Sequence, residues 1–288
     1  MTAPSEYVSW IGRSEEAEDT LSADTARGLT GVLDRAPDSP DSPEATPPPL
    51  AHWLCFLPRT PQSDLGPDGH PRRGAFLPPV RLPRRMWAGG DLRFSAPLRT
   101  GVPVHRTSVI ANIREREGRS GPLVFVTVDH ELRQDGDRVL TERQDIVYRA
   151  APGQAPAASG DARERPEEEP PAPGAWQRAL VPDPVLLFRY SALTFNGHRI
   201  HYDRAYAQRE EGYPGLVVQG PLTATLLMDL YVRERPAARV TGFRFRGLRP
   251  AFDGRELTLH GTPTATGASL YAADDRGRTV MSAEVDAA

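Results

Sequence analysis

The chain has 288 residues, 39% of them hydrophobic and 25% charged, which suits one large or two medium-sized folded domains and excludes a fibrous or mainly disordered chain. The net charge of -3 gives no broad basic surface for nucleic acid. No apolar run approaches the ~18 residues of a membrane span, and the amino terminus lacks the basic-then-apolar pattern of a signal peptide, so we expect a cytoplasmic protein without a membrane partner.

Two proline-rich, acidic stretches interrupt the chain. Residues 36–49 and 151–173 each contain six prolines, a composition that buries too little apolar surface to fold. We interpret 151–175 as an interdomain linker. It separates an amino-terminal domain, 1–150, from a carboxy-terminal domain, 176–288, and each is close to the usual size of a domain.

The first domain begins with a predicted helix and ends with a predicted meander. Ser22-Ala23-Asp24-Thr25 is a typical helix cap, and apolar residues follow it at helical spacing. Residues 57–83, rich in Pro, Gly and Arg, predict a long ordered excursion or a mobile loop. The strands predicted after it are 102–113, 123–132 and 139–148. Gln134-Asp135-Gly136-Asp137 is a hairpin signal between the last two, so we expect an antiparallel meander.

The second domain repeats this plan. A polar segment at 194–203 precedes a helix, and strands are predicted near 238–249, 255–264, 267–273 and 278–286. Leu92-Arg93-Phe94 before Pro97-Leu98 also resembles Phe243-Arg244-Phe245 before Leu248-Arg249-Pro250. These similarities indicate a weak internal duplication.

The helix predicted from Pro221 to about Arg233 has almost no polar face, so it should be buried on all sides. Gly220-Pro221 is a helix-start pair, because proline is preset for the first turn and glycine allows another group to approach the unpaired amides. A helix buried in this way must be surrounded by sheet. We therefore predict an α+β protein with a double hot-dog fold, in which two curved antiparallel sheets each wrap a central helix.

The polar segment before this helix concentrates the residues that can do chemistry. It holds Asn196, His198 and His201, which are one of two asparagines and two of seven histidines in the chain. His198 and His201 are three positions apart, close enough to share one site in a helical turn or tight loop. The alternative is a polar turn that caps a helix beginning near Asp203.

Other residue types exclude whole classes of site. The chain contains no lysine, so Schiff-base chemistry and a Walker-type phosphate lysine are ruled out. Its single cysteine, Cys55, excludes an internal disulfide and any site with several thiolates. The remaining five histidines are scattered without metal-ligand spacing, and we therefore predict no metal site.

A family resemblance rests on two motifs. Phe195-Asn196-Gly197-His198-Arg199-Ile200-His201-Tyr202-Asp203, followed by Gly212-Tyr213-Pro214-Gly215-Leu216-Val217-Val218-Gln219-Gly220-Pro221-Leu222, resembles the signature of the MaoC-like, R-specific enoyl-thioester hydratases and dehydratases. The chain is most similar to the mesaconyl-C4-CoA hydratase branch, related to the mitochondrial 3-hydroxyacyl-thioester dehydratases. Segments 50–53, 84–90 and 118–126 resemble the non-catalytic first hot-dog of that branch, so 176–288 is the expected catalytic domain.

The resemblance implies that His201 is the catalytic acid or base, assisted by Asn196 and by the backbone amide of Gly220. Asn196 stands where the broader family has aspartate, and His198 where it has asparagine. Because an amide cannot act as a base, proton transfer is expected to fall mainly on His201. The residues expected to bind substrate are His198, Tyr213, Gly215, Leu216, Val217, Gln219 and Trp87.

Several of these roles have structural alternatives. His198 either contacts substrate or caps the local turn, the segment from Tyr213 to Val218 either follows the acyl chain or is a buried strand or turn, and Trp87 either closes the pocket or belongs to the core. Gln219 stands where many relatives have histidine, which leaves the fine choice of substrate open.

We expect a hydro-lyase that reversibly adds water to an enoyl thioester of CoA or of an acyl carrier protein. No cofactor is expected beyond the CoA or phosphopantetheine of the substrate. The alternatives are conjugate (aza-Michael) addition of an amine such as an amino acid, with or without thioester hydrolysis, plain thioester hydrolysis, and a non-catalytic acyl-thioester binding scaffold. The chain is expected to be a monomeric pseudo-dimer or a homodimer.

Overall fold

One antiparallel sheet forms the framework of the molecule. The computed structural model describes residues 6–35, 46–118, 121–150 and 175–288. The strands are β1 Ser14–Thr20, β2 Arg84–Phe94, β3 Pro103–Gly118, β4 Gly121–Gln134, β5 Asp137–Arg149, β6 Trp176–Leu180, β7 Val240–Gly247, β8 Leu257–Thr264, β9 Gly267–Ala273 and β10 Thr279–Ala287. They pair in the order β1-β3-β4-β5-β2-β7-β10-β9-β8-β6.

The order of the strands supports the predicted duplication. Each half places its second strand at the centre of the sheet, followed outward by its fifth, fourth, third and first strands. The two halves meet where β2 pairs with β7, and Leu92 lies opposite Phe243, two positions that the sequence comparison had matched. Gly89 is required at this seam, because a Cβ there would lie 2.6 Å from the Phe245 carbonyl oxygen. The seam therefore behaves as an internal two-fold axis.

The helices occupy the two halves unequally. They are α1 Ala23–Val32, α2 Pro184–Leu193, α3 Arg204–Arg209 and α4 Gly220–Glu234. As predicted, α4 is buried on nearly all sides and packs against β2, β6, β8, β9 and β10. In contrast, α1 is only 10 residues long and packs chiefly against α2 and a 3-10 helix at Ala51–Leu54. The shorter helix leaves space on the inner face of the first half of the sheet.

The predicted elements are confirmed with small shifts of their ends. The Ser22 hydroxyl caps α1 by accepting a hydrogen bond from the Thr25 amide at 3.0 Å, and all seven predicted strands are present. Asp135 and Gly136 both have positive φ, at 51° and 84°, as a tight hairpin turn requires.

Four elements were missed by the sequence analysis. β1 reads Ser-Glu-Glu-Ala-Glu-Asp-Thr, a composition unfavourable for a strand, and it is held by pairing with β3 and by contacts such as Glu15 with Arg106 at 3.3 Å. β2 is interrupted by glycines, and β6 is a short edge strand. α2 was not predicted, although Asp183 caps it.

The predicted domain boundaries remain a prediction. Of the predicted linker, 151–174 lies outside the described residues, as does 36–45 of the first proline-rich stretch. The excursion at 57–83 is described throughout and is ordered against both halves. No helix in the described ranges has the length and apolar character needed to span a membrane.

Candidate active site

A cavity of about 940 Å³ lies between the two halves. The first half contributes the inner face of its sheet, the 3-10 helix at Ala51–Leu54 and part of the excursion. The second half contributes the end of α2, residues 194–197 with Arg199 and Tyr202, and Pro221 at the start of α4. The cavity therefore borders the polar segment that the sequence analysis had selected, and both halves are needed to form it.

The polar segment is shaped by local hydrogen bonds. Phe195 has a positive φ of 48°, an uncommon conformation for a non-glycine residue. The next residue, Asn196, donates its amide to Ser191 O at 2.8 Å, and its side-chain oxygen accepts the His198 amide at 3.1 Å. Asp203 caps α3 through the Tyr206 amide at 3.0 Å. Asn196 thus orients His198, while the capping function belongs to Asp203 and not to the histidines.

His201 is buried and held in one orientation. Its side chain packs inside the protein, with the residue 6% exposed, and Nδ1 lies 2.7 Å from the carbonyl oxygen of Val217. Because a carbonyl only accepts, Nδ1 carries the proton and Nε2 is left as an acceptor. Burial lowers the pKa of His201 to about 4, although the Val217 hydrogen bond acts to raise it. The ring is therefore neutral near pH 7 and able to accept a proton.

The start of α4 lies on the same stretch of backbone that holds His201. Val217 is three residues before Gly220, a span of at most about 11 Å. Gly220 is the first residue of α4 and no side chain caps the helix, so its amide is one of the unpaired donors of a helix start. A Cβ at Gly220 would meet only the Trp87 carbonyl oxygen, at 3.9 Å. The space beside its Cα is therefore open, and its neighbour Pro221 lines the cavity, although Gly220 itself does not.

Three histidine rings form a row beside the cavity. The ring centroids of His70 and His198 are 4.2 Å apart, and those of His198 and His201 are 5.3 Å apart. Of the three, only His70 lines the cavity. Burial, together with its two histidine neighbours, lowers the pKa of His198 to about 2, and burial and the Arg85 charge lower the pKa of His70. The sequence placed His198 and His201 together but missed His70.

The excursion brings His70 to this row. Asp68 accepts the Arg199 amide through its carbonyl oxygen at 2.9 Å, and its carboxylate lies 3.1 Å from Nδ1 of His70. Gly69, with φ of 87°, packs so closely against Gly197 that a Cβ on Gly69 would lie 1.9 Å from the Gly197 carbonyl oxygen. Burial raises the pKa of Asp68, but the hydrogen bonds and charge of His70 outweigh it and hold the pKa below its usual range.

Asp68, His70 and His198 could also hold a cation. Their ligand atoms all lie within 4.8 Å of one another, and two imidazoles with one carboxylate form a donor set that transition metals accept. The sequence had shown no metal-ligand spacing, because the three residues come from segments that only the fold brings together. The positive charge of Arg85, which acts on both histidines, opposes a cation here.

The other predicted binding residues lie in two places. Trp87 lines the cavity and also packs against Trp53 and Phe245, so it belongs to both the wall and the core. Tyr213, Gly215, Leu216 and Val217 do not line it; they pack against α3, Phe252 and the main core, which favours the buried strand or turn. Gln219 is fully buried and donates to Leu187 O and Ser191 Oγ, each at 2.9 Å.

Comparison with known proteins decides the family. The model for hydroxyacyl-thioester dehydratase type 2 matches residues 50–253, and the mesaconyl-C(4)-CoA hydratase of Chloroflexus aurantiacus is 48% identical over 98% of this chain and 98% of its own. The chain belongs to the hydroxyacyl-thioester dehydratase type 2 family. Membership confirms the expectation of a lyase that hydrates or dehydrates acyl thioesters.

Solved structures establish the fold of this family member. A MaoC-like dehydratase from Phytophthora capsici aligns with a TM-score of 0.71 at 14% identity, covering 96% of this chain and 95% of that one. A Mycobacterium tuberculosis protein described as a double hotdog aligns with a TM-score of 0.54 at 18% identity, covering 96% of each chain. The predicted double hot-dog fold is confirmed.

Proposed function

We propose that the protein reversibly adds water to a short, carboxylated enoyl-CoA of the mesaconyl-C4 type. One observation carries this proposal. The neutral His201 is fixed through Nδ1 by Val217 O, on the same backbone segment that leads to the Gly220 amide at the start of α4. The high identity to a mesaconyl-C(4)-CoA hydratase over nearly the whole chain supports the choice of substrate.

Each group in the site has a part in the chemistry. Nε2 of His201 takes a proton from water as the hydroxyl adds to the β carbon, and the same imidazolium can then protonate the α carbon. The charge that develops on the thioester oxygen is stabilised by the Gly220 amide and the helix dipole. Asn196 acts through His198, since its oxygen already accepts the His198 amide. His70 lines the cavity and the His198 ring stands between His70 and His201, so both rings move when substrate enters. Catalytic contacts often tighten only when substrate binds.

The mouth of the cavity suits the thioester arm. Phe188, Phe195 and Tyr202 line the cavity and are 64%, 58% and 50% exposed. Exposed aromatic rings at an opening offer stacking and apolar contact to a pantetheine or adenine group. We propose that the CoA arm crosses these rings while the acyl group lies inside.

The first experiment replaces His201 with glutamine. We expect the rate of hydration of mesaconyl-C4-CoA, followed by loss of the conjugated thioester absorbance, to fall by about 10²- to 10⁴-fold, because the proton acceptor is gone. A His260→Gln variant serves as the control, since His260 stacks on Tyr271 away from the cavity. Near-normal turnover in a folded His201→Gln protein would remove His201 from this role.

The same assay tests whether an amine can replace water as the nucleophile. With glycine present, a product heavier by the mass of water supports hydration, whereas one heavier by the mass of glycine identifies amine addition. Gln219 gives amine addition little support, because both its amide protons are used to hold α2.

We propose that no metal is required, so dialysis against a chelator should leave turnover unchanged. A loss of turnover that a divalent ion restores would assign a catalytic metal to Asp68, His70 and His198.

We further propose a cytoplasmic enzyme that works as an internal pseudo-dimer. Its substrate is a CoA thioester rather than a carrier-bound one, and size-exclusion chromatography with light scattering distinguishes the monomer from a homodimer.

A further inference from the structure

The cavity wall carries a cation, Arg85, that has no carboxylate partner among the described residues. Four charged side chains line the cavity, namely Arg85, Arg106, Arg199 and Glu142. Three of them have partners: Arg199 with Asp203 at 2.7 Å, Arg106 with Glu15 at 3.3 Å, and Glu142 with Trp53 at 2.8 Å and His52 at 3.3 Å. Arg85 forms no ion pair with any carboxylate in the described parts of the chain. Its guanidinium contacts the hydroxyl of Tyr148, which is neutral, so the charge of Arg85 is left for a ligand to balance.

Arg85 lines the cavity on the strand that passes the start of α4. It lies on β2 two residues before Trp87, so both side chains leave the strand on the same face and both line the cavity. The Trp87 carbonyl is the group nearest to the open side of Gly220. On its other side, the charge of Arg85 acts on His70 and His198. Arg85 thus shares one cavity wall with Trp87 and His70.

A half-buried cation in this position is costly without an anion. Removing a guanidinium from water is compensated only when its donors are satisfied. The fork of donors matches the two oxygens of a carboxylate better than a single ammonium would. The site is therefore suited to a carboxylate that arrives with the ligand.

We propose that Arg85 binds the second carboxylate of a dicarboxylic enoyl thioester and so selects such substrates over neutral ones. This inference rests on the proposed function. In a mesaconyl-C4 thioester the free carboxylate is attached to the carbon that receives the hydroxyl, so it must lie within a few ångströms of the catalytic groups. The CoA phosphates lie at the opposite end of the pantetheine arm, toward the exposed rings at the mouth. Arg85 therefore serves the acyl carboxylate and not a phosphate.

The test compares two substrates that differ in this carboxylate. Mesaconyl-C4-CoA and crotonyl-CoA share the same CoA, and kcat/KM is measured for both with the unmodified protein, Arg85→Met, Arg85→Lys and Arg93→Met. Arg93 is the control because it lies on the same strand, is 52% exposed and is paired with Asp286 at 2.7 Å. We expect Arg85→Met to lose roughly 30-fold or more on mesaconyl-C4-CoA, because the carboxylate is left unpaired, and less than about threefold on crotonyl-CoA. The kcat/KM of Arg85→Lys on mesaconyl-C4-CoA should lie between those of the unmodified protein and Arg85→Met.

Four outcomes overturn the inference. Equal losses on both substrates would assign Arg85 to the shared CoA or to the fold, and no loss on either would remove it from binding. The third needs no variant: the unmodified protein should strongly disfavour a mesaconyl-C4-CoA whose free carboxylate is converted to the neutral amide, and equal turnover of acid and amide contradicts the proposal even if Arg85→Met does not fold. Turnover of crotonyl-CoA alone would keep the hydratase function and reject the carboxylate site, whereas turnover of neither thioester would reject the proposed function itself.

Discussion

His201 makes the pH dependence of the reaction predictable. As the base in hydration it must be neutral, and burial lowers its pKa to about 4. We therefore expect kcat/KM for hydration to stay level as the pH falls through 6.5, where an ordinary histidine is protonated, and to decline only as it approaches 4. A pH-rate profile from 4.5 to 8 checks this. A half-fall near pH 6.5 would show that the active base is a solvated histidine.

The lowered pKa of His201 also makes the stability of the fold depend on pH. In the unfolded chain His201 takes up a proton below about pH 6.5, whereas in the folded protein it does so only near 4. Stability is therefore lost as the pH falls between these values, by about 2 kcal/mol between pH 7 and 5 for this one buried group. Urea unfolding at the two pH values should show a smaller loss for His201→Gln than for the unmodified protein, and equal losses would contradict the assignment.

Gly220 offers a test of the proposed oxyanion site without a change of fold. An alanine Cβ there meets only the Trp87 carbonyl oxygen at an ordinary contact distance of 3.9 Å, but it would occupy the space through which a thioester oxygen reaches the amide. We expect Gly220→Ala to keep its Tm and to lose roughly 100-fold in kcat. Gly261→Ala is the contrasting variant, since its Cβ would lie 2.6 Å from the Trp176 ring and should lower the Tm instead. Full activity in Gly220→Ala would place the oxyanion elsewhere.

Among the elements, the excursion at 57–83 has the largest effect on the site. Gly69 and Gly74 both have left-handed backbone, with φ of 87° and 96°, so alanine costs each about 1 kcal/mol in strain. Only at Gly69 does the Cβ also collide with another segment, at 1.9 Å from Gly197 O, whereas at Gly74 it meets the Pro79 side chain at 3.7 Å. We expect Gly69→Ala to lose most of its activity, because Gly197 and His198 are displaced, and Gly74→Ala to keep it. Steady-state kinetics of the two variants, with Tm as the measure of folding, tests this. Equal activities of Gly69→Ala and Gly74→Ala would show that the contact between the excursion and Gly197 does not matter for catalysis.

Only part of the site could be predicted from the sequence. Asn196, His198 and His201 are brought together by a single local turn, and α4 is recognisable because nearly every side chain on it is apolar. Asp68 and His70 lie more than 120 residues earlier, and they reach the site only through contacts that the fold creates. These are the Arg199 amide on Asp68 O, the contact of the His70 and His198 rings, and the fit of Gly69 against Gly197. The binding role of the segment from Tyr213 to Val217 stays a prediction: adjacency in sequence suggested contact with the acyl chain, whereas the contacts that the fold gives this segment are with α3 and the core. Arg85 could not be singled out among so many arginines, because its distinguishing property is the lack of a partner.

At the scale of the whole molecule, one buried carboxylate ties the halves together. The side chain of Asp229 on α4 is fully buried and binds Arg35 from the first half, as well as Arg178 at 2.7 Å and Arg233 at 2.8 Å. We expect Asp229→Asn to reduce the free energy of unfolding by about 3 kcal/mol, because three partly exposed guanidinium groups lose their shared counter-charge. Activity per folded molecule should persist, since Asp229 does not line the cavity.

A surface ion pair provides the comparison for that measurement. Asp129 binds Arg143 at 2.7 Å with both side chains substantially exposed, at 42% and 56%, and Asp129→Asn should cost less than about 1 kcal/mol. Denaturant unfolding of both variants gives the two values. Similar values would mean that Asp229 does not hold the halves.

The pairing of β2 with β7 means that the covalent connection between the halves is not what keeps them in register. Two separately expressed fragments, ending near 150 and starting near 175, would each retain five strands and an open central edge that only the other can complete. A hydratase assembled from such fragments would be dormant until both are produced in the same cell, which makes the scaffold a natural starting point for a split reporter of thioester metabolism.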